Sequence, residues 1–212
     1  MTSKDDEKTE SEALFEAFCT ALSIPWDRVP RSRTKTPDYV VTLGGHRVVT
    51  EVKQIEPGDD DKRLLAAGAA WSDPGRRVRQ KIQASSKQLR ARSGGTLPTL
   101  LVLYDLGTFR GTDSDDVKTA MFGDESATVR RLPGEALEIS PIQPGGHRKC
   151  TEQSNTSISA IALMRPFETY GARLALFHNH FAAIHIDPEW CRVKSAIQHF
   201  ALSDEVYAWR EV

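Results

Sequence analysis

Two carboxylates and a lysine stand where strand residues should be apolar. In Thr36–Ile55, TPDYVVTLGGHRVVTEVKQI, Asp38 opens one short apolar run, and Glu51 and Lys53 interrupt the next. The runs flank Gly44-Gly45, a dipeptide suited to the positive φ angles of a tight hairpin turn. A two-residue loop there makes Leu43 face His46, and the same register sets Asp38 directly opposite Glu51. A four-residue loop keeps that register, and a three-residue loop breaks it. Alternation puts Lys53 on the side of the two acids, with Val40, Val48 and Val52 assigned to the opposite, apolar side.

Directly opposed side chains have Cβ atoms about 5 Å apart, and like charges there repel. A hard divalent cation, Mg²⁺ or Mn²⁺, removes that cost. Such an ion lowers the pKa of a bound water and stabilises charge on a phosphoryl oxygen, while Lys53 beside it holds or polarises the water. This is a constellation for phosphodiester hydrolysis. The competing structural reading is a surface hairpin with an Asp turn cap and a solvated Glu–Lys edge. Val49, Val52 and Ile55, which flank Glu51 and Lys53, weigh against it.

The elements around the hairpin are legible in outline. Residues 1–8 read as a polar, disordered tail, and residues 9–212 as one domain. Thr9 with Glu12 has the form of a capping box, so a helix should start there, with an apolar stripe of Leu14, Phe15, Phe18, Ala21 and Leu22. Arg28 to Lys35 is a basic, proline-broken loop, and Glu56–Asp61 (EPGDDD) reads as an acidic, turn-rich break. A second helix runs from Pro74 to about Arg92, burying Val78, Ile82, Ser85 and Leu89. Gly94-Gly95 stops it, and PTLLVLYD (Pro98–Asp105) reads as a central strand buried on both faces. Residues 106–156 form a loop-rich insertion with one short helix near Asp115–Phe122. Ser157–Met164 is a strand, ARLALF and FAAIHI suggest a hairpin around His178-Asn179-His180, and a last helix is expected within Pro188–Phe200. The fold class is mixed α/β around one sheet.

Pro37-Asp38 followed by Glu51-Val52-Lys53 resembles the PD-(D/E)XK (restriction-endonuclease-like) nuclease superfamily. The preceding glutamate-bearing helix and the following basic helix are similar to its αβββαβ core, over roughly residues 9–105. The resemblance implies Mg²⁺- or Mn²⁺-dependent endonucleolytic cleavage of nucleic acid, with DNA favoured. It makes Asp38 and Glu51 metal ligands and Lys53 the catalytic lysine. Such proteins often add a glutamate from the first helix, here Glu12 or Glu16. Helical spacing puts Glu12 near the edge of the apolar stripe and Glu16 nearly opposite it, so Glu12 is preferred, although it also serves the capping box. Gln88 matches a helix position that reaches the site in many relatives. The Q-x-x-x-Y signature of the exonuclease branch is absent, because Arg92 stands where its tyrosine would be. The string H-N-x-x-A at His178 resembles a C-terminal hairpin of uncharacterised members.

From Gly75 to Tyr104 the chain has no acid, and its basic helix offers Arg79, Lys81, Lys87 and Arg90 to a phosphate backbone. Overall charge is −1, so any nucleic-acid contact must be local. A non-catalytic nucleic-acid-binding or protein-interaction module on the same fold is the alternative function. With no separate recognition domain in the sequence, a homodimer or a partner protein would supply targeting. Three widely spaced cysteines make no disulfide framework or zinc pattern, and His178, His180 and His185 lack a completing ligand. Trp71, Trp190 and Trp209 read as packing residues. No signal peptide or membrane span is expected, which fits a cytoplasmic setting.

Overall fold

The computed structural model describes residues 8–30, 36–67, 73, 75–107, 111–131, 137–193, 195–203 and 205–212. All of the polar tail but Lys8, together with Trp71, Pro74 and most of the basic stretch before Thr36, falls outside them.

Helix α1 (Glu10–Ala21) opens with a complete capping box: the Glu12 N–H donates to Thr9 Oγ1 at 3.2 Å, and the Thr9 N–H donates to Glu12 Oε2 at 3.0 Å. Strands β1 (Trp26–Arg28), β2 (Tyr39–Leu43) and β3 (His46–Ile55) follow. Helix α2 (Asp59–Ala67) comes next, where a turn-rich break was expected. The Gly58 N–H donates to Asp61 Oδ2 at 2.7 Å, so EPGDDD both breaks the chain and starts a helix. Helix α3 (Arg76–Ser93) buries Val78, Ile82, Ser85 and Leu89 as its spacing predicts. Strand β4 (Thr99–Asp105) is buried on both faces. Helix α4 (Ser114–Phe122) and two small ribbons, β5 (Glu125–Ser126) with β8 (Gln143–Pro144) and β6 (Val129–Arg131) with β7 (Leu137–Ile139), make up the described part of the insertion.

Strands β9 (Ala160–Phe167), β10 (Gly171–His178), β11 (Ile197–Ser203) and β12 (Ala208–Glu211) complete an eight-stranded sheet, ordered β1-β2-β3-β4-β9-β10-β11-β12. β4 runs parallel to both β3 and β9, so the carboxyl ends of three neighbouring strands meet at one end of the sheet. Two apolar clusters cover the two faces. One joins Phe15 and Phe18 of α1 to Tyr39, Val41, Val52 and Val102. The other joins α3 and α4 to Val49, Leu101, Leu103 and Ile161. The architecture is therefore a large mixed sheet between helices. No helix among the described residues is long and apolar enough to cross a membrane.

Three expectations fail. Val40 pairs with Val49, so it lies on the Glu51 side of the sheet and not with Val48 and Val52. Both faces are apolar, so hydrophobicity alone could not assign it. FAAIHI is not a strand: the Asn179 side chain bonds to Ile158 O and Phe181 N, and the chain turns there. β10 pairs instead with β9. Among the described residues the last helix is also absent. Pro188–Trp190 makes a single 3-10 turn, after which Ile197 and His199 alternate inward as β11, parallel to β10, and β12 closes a terminal hairpin. Period-two burial overrides the helical reading of that stretch.

Candidate active site at the end of the first hairpin

The turn sets the geometry. Gly44 and Gly45 both have positive φ, 55° and 85°, as a two-residue hairpin loop requires. A Cβ on Gly44 would lie 2.7 Å from Trp190 O, so no larger residue fits. Leu43 faces His46 and Tyr39 faces Thr50, the register read from the sequence. β3 is twice the length of β2, with ten residues against five, so Glu51 to Ile55 pair only with β4. Ladder pairing stops where Pro37, which has no N–H, would face Val52. Asp38 fills the gap: its Oδ2 accepts the Val52 N–H at 2.8 Å. The acid that opens β2 thus terminates the ladder on β3.

Glu51 is completely buried, on the face covered by α3. Its Oε1 receives both the Lys53 ammonium and the Gln88 amide. Its Oε2 is buried and, among the described residues, has no hydrogen-bond partner. Buried polar atoms without a partner are rare in folded proteins, and each calls for an explanation. Burial pushes the Glu51 carboxyl up to about 7, with the Asp38 charge adding to the rise and Lys53 opposing it. Burial also raises Asp38. The Val52 N–H and Lys53 act against that shift, and Glu12 adds to it. The two acids therefore repel each other in a dry setting, with one acceptor oxygen unused.

The first helix buries two of its three glutamates, Glu12 and Glu16. Glu16 is buried, contrary to its position on the apolar wheel, because Tyr39 Oη donates to it at 2.8 Å and Lys8 pairs with it. Glu12 keeps its capping role, pairs with Arg28 at 3.3 Å and is the helix carboxylate that acts on Asp38. Among the described residues, no set of three or more His, Cys, Asp or Glu side chains is arranged to hold a metal ion. Asp38 and Glu51 are a pair, not a triad. The pair fits a hard divalent cation on one observation, the buried and unpartnered Glu51 Oε2, with waters completing the ion's shell.

The helix residues separate into two groups. Gln88 is buried against Glu51, and Lys81 lies close enough to Lys53 that, after burial, the Lys53 charge lowers its pKa. Arg79 turns inward to Asp73 and lies 3.9 Å from Asp124, so it leaves the exposed basic face. Lys87 and Arg90 are exposed and, among the described residues, form no ion pair; Arg92 joins them. Arg28 and Ser85 were not anticipated as site residues. Ser85 is buried one turn before Gln88, and its hydroxyl has no partner. A serine inside an apolar helix stripe was the available signal for it. Arg28 had none, since only the folded chain brings it to Glu12.

The histidines serve elsewhere. His178 Nε2 and His199 Nδ1 lie 2.9 Å apart, His199 Nε2 lies 3.1 Å from Cys191 O, and His180 stacks on Phe122. Trp190 stacks on His46, and the Trp209 indole N–H donates to Ser114 O.

Comparison with protein-family models, curated proteins and solved structures finds no match to this chain. The functional reading therefore rests on the residues themselves.

Proposed function

We propose that the chain is a metal-dependent nuclease of the PD-(D/E)XK type, hydrolysing phosphodiester bonds of nucleic acid, with DNA the first substrate to test. One observation carries this reading: the buried Asp38–Glu51 pair leaves Glu51 Oε2 unpartnered beside Lys53. The order α1, β1, β2, β3, α3, β4 supports it, being the αβββαβ order of that superfamily with α2 added.

Asp38 and Glu51 would hold Mg²⁺ or Mn²⁺, which when bound supplies Lewis-acid stabilisation and a more acidic water. The chain's own groups set the rest. Glu51 is fully buried, whereas the Lys53 side chain is 31% exposed, so the lysine bridges the dry site and solvent. Its Nζ orients a water for in-line attack and donates to a phosphoryl oxygen as charge develops there. Gln88 fixes the Glu51 carboxylate in one orientation. Lys87 and Arg90 receive flanking phosphates.

The absence of a third carboxylate, histidine or cysteine ligand among the described residues favours a second reading, a non-catalytic nucleic-acid-binding module on the same scaffold. Cleavage of plasmid and single-stranded DNA in Mg²⁺, with and without chelator, separates the two. The nuclease reading expects chelator-sensitive cutting by the wild type and none by Asp38→Ala or Lys53→Ala. Binding without cutting across a broad panel of substrates transfers the case to the second reading. Calorimetric titration with Mn²⁺ tests the ion directly, and no heat of binding would remove the metal site.

A further inference from the structure

A cleft of about 520 Å³ lies at the carboxyl ends of β3, β4 and β9, lined by Ile55, Asp105, Thr112, Arg165 and Arg173 among others. Open α/β sheets take ligands at such strand ends. Ile55 pairs with Asp105, and continuing the β4–β9 register past Tyr104–Met164 puts Arg165 beside Asp105. Arg173 stands directly opposite Arg165. These four residues form one cross-strand row, on the same face as Glu51 and Lys53. Lys53 is one pleat back along β3 from the start of the row.

Ion pairing within the fold does not account for the arginine pair. Like charges directly opposed on a sheet are destabilising. Both side chains are exposed, and among the described residues neither forms an ion pair. Among the described residues Arg165 donates once, to Thr112 O at 2.9 Å, and Arg173 lies over the Phe167 ring at 5.9 Å. Most of their ten N–H donors remain for a ligand. The cleft's carboxylates have internal duties: Asp105 accepts the Thr112 hydroxyl at 2.6 Å, and Asp113 accepts the Asp115 and Asp116 N–H groups at 2.9 Å.

We infer that Arg165 and Arg173 form an anion subsite for a backbone phosphate of the bound strand, displaced from the bond that is cut. The inference rests on the nuclease reading for the identity of its ligand. Strand spacing puts the pair about 10–14 Å across the sheet from β3, a few nucleotides along a strand. The cleft is the track that joins the two points.

The test is binding of labelled octathymidylate, alone and annealed to octaadenylate, in chelator at several salt concentrations. For Arg165→Ala/Arg173→Ala we expect about a tenfold loss of affinity and, on the single strand, a salt slope shallower by about 0.7 for each phosphate no longer neutralised. Dithymidylate, too short to span from Lys53 to the pair, should bind the wild type far more weakly than the octamer and lose less affinity in the double variant. Arg165→Lys/Arg173→Lys should keep the slope, and thermal melts should match throughout. An affinity and slope equal to wild type overturn the subsite while leaving Mg²⁺-dependent cleavage unaffected. A wild type that cuts nothing, while the double variant still loses affinity, overturns the nuclease and keeps the subsite. A wild type that binds neither oligonucleotide form overturns both.

Discussion

Two buried polar clusters, one around Glu51 and one around Asn179, differ in how completely their atoms are bonded. Asn179 is fully buried; its backbone N–H donates to Ser159 O at 2.9 Å, its amide to Ile158 O at 2.8 Å, and its Oδ1 accepts the Phe181 N–H at 3.0 Å. Glu51 is equally buried, yet one of its oxygens accepts nothing and its neighbour is a second acid. The first cluster is complete and reads as architecture, tying the end of β10 to the start of β9. The second is incomplete in the free chain, and incompleteness of that kind points to a ligand. In the sequence the two are equally conspicuous: an H-N-H triplet and an E-V-K triplet.

The contrast can be broken most sharply by exchange of roles. Lys53→Ala and Glu51→Gln should each lower single-turnover cleavage by about 10³-fold or more while the protein stays folded. Asn179→Ala should do the opposite, costing about 3 kcal/mol, or about 10 °C in Tm, with cleavage per folded molecule retained. If Asn179→Ala abolishes cutting in protein that is still folded, the division between the clusters fails.

Acidity sharpens it next. Glu51 titrates near 7 in the fold, above its ordinary 4.5, so the folded state binds its proton more tightly. Its contribution to stability is present at low pH and is lost as pH rises from about 4.5 to about 7, on the order of 3 kcal/mol. His178 is held down to about 4 by burial and by the neighbouring His199, so it favours the folded state above its ordinary 6.5. That contribution is lost as pH falls toward 4. The two windows overlap between about pH 4.5 and 6.5, so in chemical denaturation of the wild type the opposing slopes largely cancel there. Glu51→Gln should remove one of them and expose a stability that rises with pH from about 4 to 6.5.

A smaller effect should follow from divalent cations. At pH 8, millimolar Mg²⁺ should raise the wild-type Tm by several degrees through mass action. Glu51→Gln should show no rise, and Asn179→Ala the full rise. The smallest effect belongs to α1. Thr9→Ala should cost about 1 kcal/mol through the lost cap, whereas Glu12→Gln, whose amide oxygen still accepts the Thr9 N–H, should cost a few tenths at most. Only Glu12→Gln should also change Mn²⁺ affinity, because Glu12 acts on Asp38 and Thr9 does not.

Local chemistry explains which parts could be read in advance. A Gly-Gly turn has few backbone solutions, so the pairing of the first hairpin followed from counting residues. The capping box and the stripe of α3 were legible because each depends on neighbours three or four positions away. Glu16 was misplaced because a wheel of apolar residues does not register a carboxylate buried on a tyrosine hydroxyl 23 positions along the chain. Arg79 left the basic face for the same kind of reason, since Asp73 and Asp124 draw it inward. The start of β11 fell inside the stretch read as a last helix, because its inward side chains alternate only when β10 is present to pair with it.

The contact between the first hairpin turn and Trp190 has a consequence for assembly. Gly44 packs against the Trp190 backbone and His46 stacks on its ring, so the loop that sets the register is clamped by a segment from late in the chain. Such long-range closure is slow to form. During synthesis the hairpin can pair early, but its turn stays unclamped until that segment has emerged and docked. The candidate site at the end of that hairpin would then reach its final geometry late, when most of the sheet is already in place.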